Sequence, residues 1–387
     1  MSSIACNVCG QALAEPIYRS KSAHSLTSLC ELRPIQCEVW ACTHCGHLRS
    51  QELVDAEQYY AADYRILLNQ EDEDQIYALD GERIIYRTEH QVATLLAKLD
   101  LPAGARLLDY GCAKAHTPRQ LLRQRPDLEL HLFDVSHMYG EHWARFLAPE
   151  RCATFSTPSE WSGSFDVVTS FFSLEHIAQP LAAVRHMASL LKDGARLYGV
   201  VPDTFANPAD FVVVDHVNHF TEASLHRLLS LAGFGQIEID AGAHRGALVF
   251  SAKLNGRSSA APDPGLACSQ AGQLASYWQQ LDEQIRQSEL AAGEAPAAIY
   301  GSGFYGAYIA SALQTLERIG CFLDRSPYQQ GRQLFGKSIV APEALPAQVR
   351  TLFVGLNPLI ARATMAAMTW PPALKLVFLD HEPDPSA

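Results

Sequence analysis

From Ala105 to Leu254 the chain alternates short apolar runs with amphipathic stretches, and this limits the fold more than any other feature. The runs Arg106–Tyr110, Leu128–Phe133, Phe165–Ser170 and Arg196–Val201 are too short for helices and read as strands. Between or after them, Thr117–Arg125, Pro180–Leu191 and Ser224–Ala232 carry helical spacing. Strands that alternate with helices must run mostly parallel, because each crossover returns to the same end of the sheet. Two last runs, Gln236–Ile239 and Leu248–Leu254, have no clear helix between them and predict an antiparallel edge. Upstream, Glu82 to Leu99 places Ile85, Val92, Leu95, Leu96 and Leu99 at helical spacing.

The flanks differ from this core. Near the N-terminus, Cys6-Asn7-Val8-Cys9-Gly10 and Cys42-Thr43-His44-Cys45-Gly46 are two CxxC knuckles, each closed by a glycine. Four thiolates suit a closed tetrahedral zinc site, which supplies folding energy to a segment too small for its own core. Cys6, Cys9, Cys42 and Cys45 are therefore the expected ligands, with Cys30, Cys37, His24, His44 and His47 as possible substitutes. A hairpin can fill the gap between the knuckles. A redox CxxC would follow a strand in a βαβ unit, and neither copy does. With four cysteines bound, no position is left for a catalytic water.

Past Leu254, turn residues such as Pro262-Asp263-Pro264-Gly265 mark a linker. A polar helix from about Leu274 to Leu290 follows, then a second β-α-β series from Ala297. Ile299-Tyr300-Gly301-Ser302-Gly303-Phe304-Tyr305-Gly306 is a GxGxxG between strand and helix, and Cys321-Phe322-Leu323-Asp324 ends the next strand in an acid. That is a dinucleotide fingerprint, so an NAD-linked oxidoreductase competes as a reading. Too few residues follow Asp324 for a second mononucleotide half, which leaves a half-Rossmann domain. The expected divisions are a zinc ribbon over 1–60, a helical connector over 61–103, the α/β core over 104–254, a linker over 255–273 and the C-terminal domain over 274–387.

The formal net charge of −12 disfavours a nucleic-acid partner, which needs clustered Lys and Arg. No apolar run reaches the roughly 18–20 residues that span a membrane. The first ten residues lack the charged start and apolar stretch of a signal peptide. The expectation is a cytoplasmic protein whose ten cysteines are thiols, metal ligands or core residues.

Within the core, Leu107-Leu108-Asp109-Tyr110-Gly111-Cys112-Ala113 ends the first strand, and Phe133-Asp134 ends the second. A glycine there lets backbone approach a ligand, and an acid can accept the hydroxyls of a ribose. Next come Ser164-Phe165-Asp166-Val167-Val168, then Ser173-Leu174-Glu175-His176-Ile177, Leu190-Leu191-Lys192-Asp193-Gly194 and Val200-Val201-Pro202. In this order the series resembles class I S-adenosylmethionine-dependent methyltransferases. The resemblance implies a Rossmann-like seven-stranded core. It sets Asp109 and Gly111 near the methionine part of the cofactor, Asp134 on its ribose, and Glu175 and His176 at the rim of the active site. Alanine stands at 113 and 115, where that family usually has glycine.

The whole order is narrower still. A CxxC…CxxC ribbon, a methyltransferase, then a Gly-rich half-Rossmann domain with Asp324-Arg325-Ser326-Pro327-Tyr328-Gln329-Gln330-Gly331-Arg332 resembles the sugar C-methyltransferases. These act on nucleotide-linked deoxy-keto-sugars. By that resemblance Gly301, Gly303, Tyr305, Asp324 and Arg325 help hold the nucleotide of the substrate. The family's Tyr-x-Glu-His stretch reads Val213-Val214-Asp215-His216 here, and its loop asparagine is replaced at Phe172. His216 is then the expected base, with Asp215 to orient it, because an imidazole titrates near working pH. An enolate-forming C-methyltransferase, an O-methyltransferase on a sugar or glycan precursor, and a non-catalytic binding module all remain open at this point.

Overall fold

The computed structural model describes residues 4–64, 73–81 and 83–380. It divides into two compact units, one built from residues 1–17 and 38–272, the other from 18–37 and 273–387. These units cut across the boundary expected near residue 60. The two knuckles group with the α/β core, while the segment between them groups with the C-terminal residues.

The first unit centres on a seven-stranded sheet. Its strands are β1 (Arg106–Tyr110), β2 (Glu129–Asp134), β3 (Cys152–Thr154), β4 (Phe165–Phe171), β5 (Leu191–Pro202), β6 (Phe234–His244) and β7 (Ala247–Leu254). They lie in the order β3-β2-β1-β4-β5-β7-β6. Neighbours from β3 to β5 pair parallel, and β7 pairs antiparallel with both β5 and β6. The antiparallel edge expected from the sequence is present. β3 is a strand that the periodicity did not predict, for three residues are too few to show a period.

The helices α1 (Arg87–Lys98), α2 (His116–Gln124), α3 (Pro180–Leu190) and α4 (Glu222–Leu231) supply the apolar layers. Alternate strand residues feed opposite faces, as the pleat requires. Leu108, Val168, Leu197 and Val201 pack with Val184, Leu225 and Leu228 on one face. Leu107, Val167, Tyr198 and Val200 pack with Val92, Leu95 and Leu121 on the other. Upstream, the expected helix is shorter than its periodicity. Ile76–Asp80 and Arg83–Tyr86 form a hairpin, and helix begins only at Arg87; Glu82, first residue of the expected helix, lies outside the described residues. Ile85 fits either period, so the β-branched pair Ile84-Ile85 decides for strand.

Each knuckle turns on its first cysteine carbonyl. Gly10 donates to the Cys6 carbonyl and Gly46 to the Cys42 carbonyl, both at 2.8 Å, with the glycine backbone left-handed. Cys6, Cys42 and Cys45 are buried in the same apolar cluster as Phe220 and Leu225. Asn218–His219 also pairs antiparallel with Leu48–Arg49, so knuckle and core share backbone hydrogen bonds.

In the second unit, β8 (Ala297–Tyr300), β9 (Ile319–Leu323), β10 (Lys337–Val340), β11 (Thr351–Val354) and β12 (Lys375–Val377) run parallel in the order β10-β9-β8-β11-β12. The short strand Gln333–Leu334 pairs antiparallel at the β10 edge. β11 and β12 stand where the apolar runs Leu352–Gly355 and Leu374–Leu379 predict strands, and β10 is the parallel strand that the sequence reading lacks. The helix Pro264–Ala292 starts ten residues before the expected Leu274, inside the expected linker. Between the knuckles, Ser25–Leu26 and Leu32–Arg33 form the hairpin that the gap allowed.

Candidate active site

The loop that leaves β1 has the shape of a glycine loop with few glycines. Gly111 has φ +75°, and an added Cβ would lie 2.1 Å from Ser173 Oγ. Ala113 and Ala115 also take positive φ, +45° and +58°. For alanine that conformation costs roughly 1–2 kcal/mol each. The surroundings hold it. The Ala113 amide donates to Asp134 Oδ2 at 2.7 Å, the Ala113 carbonyl accepts from Trp143 Nε1 at 2.8 Å, and the Ala115 amide donates to the Cys112 carbonyl at 2.7 Å. The departures from glycine therefore leave the left-handed backbone in place.

Asp134 closes β2 and is 8% exposed. Its Oδ1 accepts from the Ser136 amide at 3.0 Å. Burial raises its pKa. Asp109 is buried beside it in sequence order of strands, accepts from Thr169 Oγ1 at 2.7 Å, and is pushed up to about 7 by burial. These residues fit an adenosylmethionine cradle: a close backbone approach at Gly111 that a Cβ would fill, and an acid at the end of the neighbouring strand.

Glu175 and His176 lie on a single 3₁₀ turn, Leu174–His176, after β4. Glu175 is not on a rim. It is 1% exposed, burial pushes its pKa up to about 8, and its Oε2 has no hydrogen-bond partner among the described residues. The His176 ring faces His216 edge-on, with centroids 4.6 Å apart. Burial first, and the neighbouring His216 second, lower the His176 pKa to about 4.

The acid that orients His216 is Asp210, not Asp215. His216 Nδ1 lies 2.6 Å from Asp210 Oδ1, and His219 Nδ1 lies 3.2 Å from Asp210 Oδ2. Burial opposes charge on His216, but the Asp210 carboxylate outweighs it and holds the ring's pKa up to about 9. Burial likewise opposes charge on Asp210, yet the two imidazoles keep its carboxyl well below the usual range. Asp215 turns the other way: its Oδ2 is 3.9 Å from His176 Nδ1, and its carbonyl is 3.1 Å from that nitrogen. His219 has its other nitrogen 2.7 Å from Ser50 Oγ, so both ring nitrogens are engaged and the residue is structural.

Sequence reasoning missed Asp210, Tyr60, Tyr64 and Arg87. Tyr60 donates to the Asp215 carbonyl at 2.5 Å and its hydroxyl lies 3.2 Å from His176 Nδ1. Tyr64 packs its ring 5.2 Å from His176. These tyrosines come from the segment after the second knuckle, and no periodicity ties that segment to residues 176–216. Arg87 opens α1 and lies over the Phe172 ring at 5.0 Å. Phe172 itself has φ +50°.

Residues 81–239 match the family described as Methyltransferase domain, Methyltransf_23. The order of the seven strands and the left-handed loop after β1 agree with that match. Residues 81–239 form a class I S-adenosylmethionine-dependent methyltransferase domain. Among relatives of this domain, the ubiquinone biosynthesis O-methyltransferase of Xanthomonas oryzae pv. oryzae is 35% identical over 128 residues, 32% of this chain and 50% of that protein. That of Xanthomonas campestris pv. campestris is 31% identical over the same length. The chain thus spans about half the length of the curated relatives it matches. A solved S-adenosylmethionine-dependent methyltransferase from Mesorhizobium loti covers 42% of this chain and 97% of its own, at 15% identity and a TM-score of 0.35.

Outside the cofactor cradle, two side-chain clusters on this unit have the composition of metal sites among the described residues. One is the expected Cys6, Cys9, Cys42 and Cys45. Cys6 and Cys45 sulfurs are 3.7 Å apart, and those of Cys9 and Cys42 are 3.5 Å apart. A tetrahedron with Zn–S near 2.3 Å has edges of about 3.8 Å, so the cage has the size of a zinc site. The other is Glu175, His176 and His216.

The glycine loop after β8 is built like the loop after β1. Gly301 has φ +91°, and its added Cβ would lie 2.4 Å from the Gly355 carbonyl oxygen. Asp324 accepts from the Ser302 amide and hydroxyl and from the Ser326 amide. Gly303 precedes the helix Phe304–Ala312, in which Tyr305 is buried.

Proposed function

We propose that the chain is an S-adenosylmethionine-dependent C-methyltransferase acting on a nucleotide-linked deoxy-keto-sugar. The observation that carries the catalytic part is the group of buried Glu175 and His216 with partly buried His176, and Asp210 behind it, on the loops after β4 and β5. In open α/β sheets, ligands bind beyond these strand ends. Adenosylmethionine supplies an electrophilic methyl on a sulfonium. Gly111 and Asp134 would hold it, with Asp109 beneath. In the metal-free protein His216, with its Nδ1 committed to Asp210, presents Nε2 to the proton next to the acceptor's ketone. Loss of that proton gives the enolate whose carbon takes the methyl group. Because Asp210 holds the ring's pKa up to about 9, the base form, and turnover with it, should grow as pH rises toward 9.

The sugar part rests on the C-terminal unit. Its Gly301–Gly303 loop and Asp324 have the form of a nucleotide-binding turn, and Arg325 beside them adds a positive charge suited to a diphosphate. The cysteine cage is read as structural zinc. A second reading, O-methylation of a sugar or glycan precursor, is favoured by the O-methyltransferase relatives. There His216 would take a hydroxyl proton instead.

The test is turnover of a panel of nucleotide-linked keto-sugars with labelled methyl donor, wild type beside His216→Ala. The variant should turn over roughly 10²–10⁴-fold more slowly, as for loss of a general base. In heavy water the wild type should exchange the proton next to the ketone, and the variant should not. Turnover without exchange would move the reading to an oxygen acceptor, and normal turnover in the variant would remove His216 from the reaction.

A further inference from the structure

We infer that Glu175, His176 and His216 form a second metal site, which takes a divalent transition ion at the acceptor end of the cleft. It deepens the reading above and rests on it for the ion's role. Three observations point to it. One ligand atom from each of the three side chains lies within 4.8 Å of the others. Ligands about 2.1 Å from one ion sit roughly 3.0–3.4 Å apart, so adjustment of the order of an ångström closes the set. Each imidazole also has one nitrogen already committed. His216 Nδ1 faces the Asp210 carboxylate at 2.6 Å, and His176 Nδ1 faces the Asp215 carbonyl at 3.1 Å; among the described residues His176 Nε2 has only the Tyr64 hydroxyl at 3.5 Å, a long contact that an ion would displace. Metal-binding histidines have this arrangement, in which a carboxylate or carbonyl fixes the tautomer and turns Nε2 toward the ion.

The third observation is the glutamate. Glu175 is 1% exposed and its Oε2 has no hydrogen-bond partner among the described residues. A buried carboxylate oxygen without a donor is costly, and a cation beside it removes that cost. Two imidazoles and one carboxylate suit zinc, manganese, iron or cobalt better than calcium. Three protein ligands leave positions open for an acceptor oxygen. The sequence is economical in supplying them, with two ligands from one 3₁₀ turn and one from the loop after β5. With an ion in place His216 is a ligand and no longer a free base. Activation then falls to the ion, through a coordinated ketone or hydroxyl oxygen of the acceptor.

The test uses the full-length protein as isolated, with the metal of its cysteine cage retained. Manganese(II) is titrated and the free ion read by electron paramagnetic resonance, because manganese does not compete for four thiolates. The wild type should bind about one manganese per chain, as for a single three-ligand site. Glu175→Gln and His176→Ala should each weaken that binding by at least tenfold, and Asp210→Asn by roughly 10–100-fold through the ring it orients. Adenosylmethionine affinity and cage metal should stay at wild-type values in all three. The inference is overturned if the wild type takes up no manganese, cobalt or zinc beyond the cage equivalent, or if uptake is the same in Glu175→Gln and His176→Ala. Binding that obeys these variants while methyl transfer ignores the added ion would uphold the site and overturn its role at the acceptor.

Discussion

Replacing Asp210 tests which acid organises the candidate active site. The residue is 1% exposed and hydrogen-bonded to two buried imidazoles, 2.6 Å to His216 and 3.2 Å to His219. In Asp210→Asn the amide oxygen can accept from one ring, but its NH₂ group meets the N–H of the other. One hydrogen bond to a charged group is lost, which costs roughly 1.5–3 kcal/mol, and the second ring loses its partner in a dry site. The expected loss is about 2–4 kcal/mol in urea unfolding at pH 7, with turnover lowered at least tenfold under conditions where the variant is folded. Asp215→Asn serves as the comparison. Its carboxylate lies 3.9 Å from His176, beyond hydrogen-bond reach, and its carbonyl is unchanged by the substitution. Asp215→Asn leaves the Asp210 carboxylate and both of its imidazole partners intact, so its turnover should stay above that of Asp210→Asn. The reasoning fails if Asp210→Asn unfolds within 0.5 kcal/mol of wild type, or if Asp215→Asn is the more damaging of the two.

Three further outcomes are expected. Purified protein should carry about one zinc per chain at its cysteine cage, and Cys42→Ser should lose zinc and folded yield together; well-folded Cys42→Ser would contradict this. Asp134→Ala should weaken adenosylmethionine binding by on the order of 1–3 kcal/mol in calorimetry, since it removes both the ribose acceptor and the partner of the Ala113 amide; unchanged affinity would place the ribose elsewhere. For Asp109, burial raises the folded pKa to about 7, so between its unfolded value near 3.9 and that point the unfolded chain binds fewer protons and wild-type stability falls as pH rises. Asp109→Asn keeps the acceptor for Thr169 without the charge, so ligand-free Asp109→Asn should gain on wild type by about 2–3 kcal/mol between pH 5 and pH 8 in thermal melts, and an equal difference at both pH values would refute the burial argument.

Much of the core was legible because its strands are pure apolar runs closed by chemically distinctive residues. Gly111 and Asp134 could be placed at strand ends from the apolar runs, and the family resemblance brought Glu175, in the loop after β4, to the active site. Three kinds of information were hidden. Ala113 and Ala115 carry no sign of left-handed backbone, which here is imposed by Asp134 and Trp143 from distant positions. Asp210 and Asp215 are both acids just ahead of His216, and only the turn at Pro208–Val212 brings the more distant one under the ring. Tyr60 reaches His176 across 116 positions of sequence, a contact that no local period encodes. The hairpin at 76–86 was lost to ambiguity, since Ile84 and Ile85 satisfy a helical stripe as well as a strand.

The path of the N-terminal segment has a consequence for how the protein is made. Residues 18–37 belong to the same compact unit as residues 273–387, so on the ribosome they emerge well before their partners. At about 5–20 residues per second the wait lasts many seconds. During it, metal capture at Cys6, Cys9, Cys42 and Cys45 would pin both ends of the waiting segment and keep it a closed loop. A closed loop has less freedom left to lose when its partners arrive. Early zinc supply would then govern the yield of the C-terminal unit, although every ligand lies within the first 45 residues. A shortened chain that stops before residue 273 would keep the cage and the methyltransferase sheet, but leave Tyr18 and Leu26, both buried in the full chain, with their unit unmade.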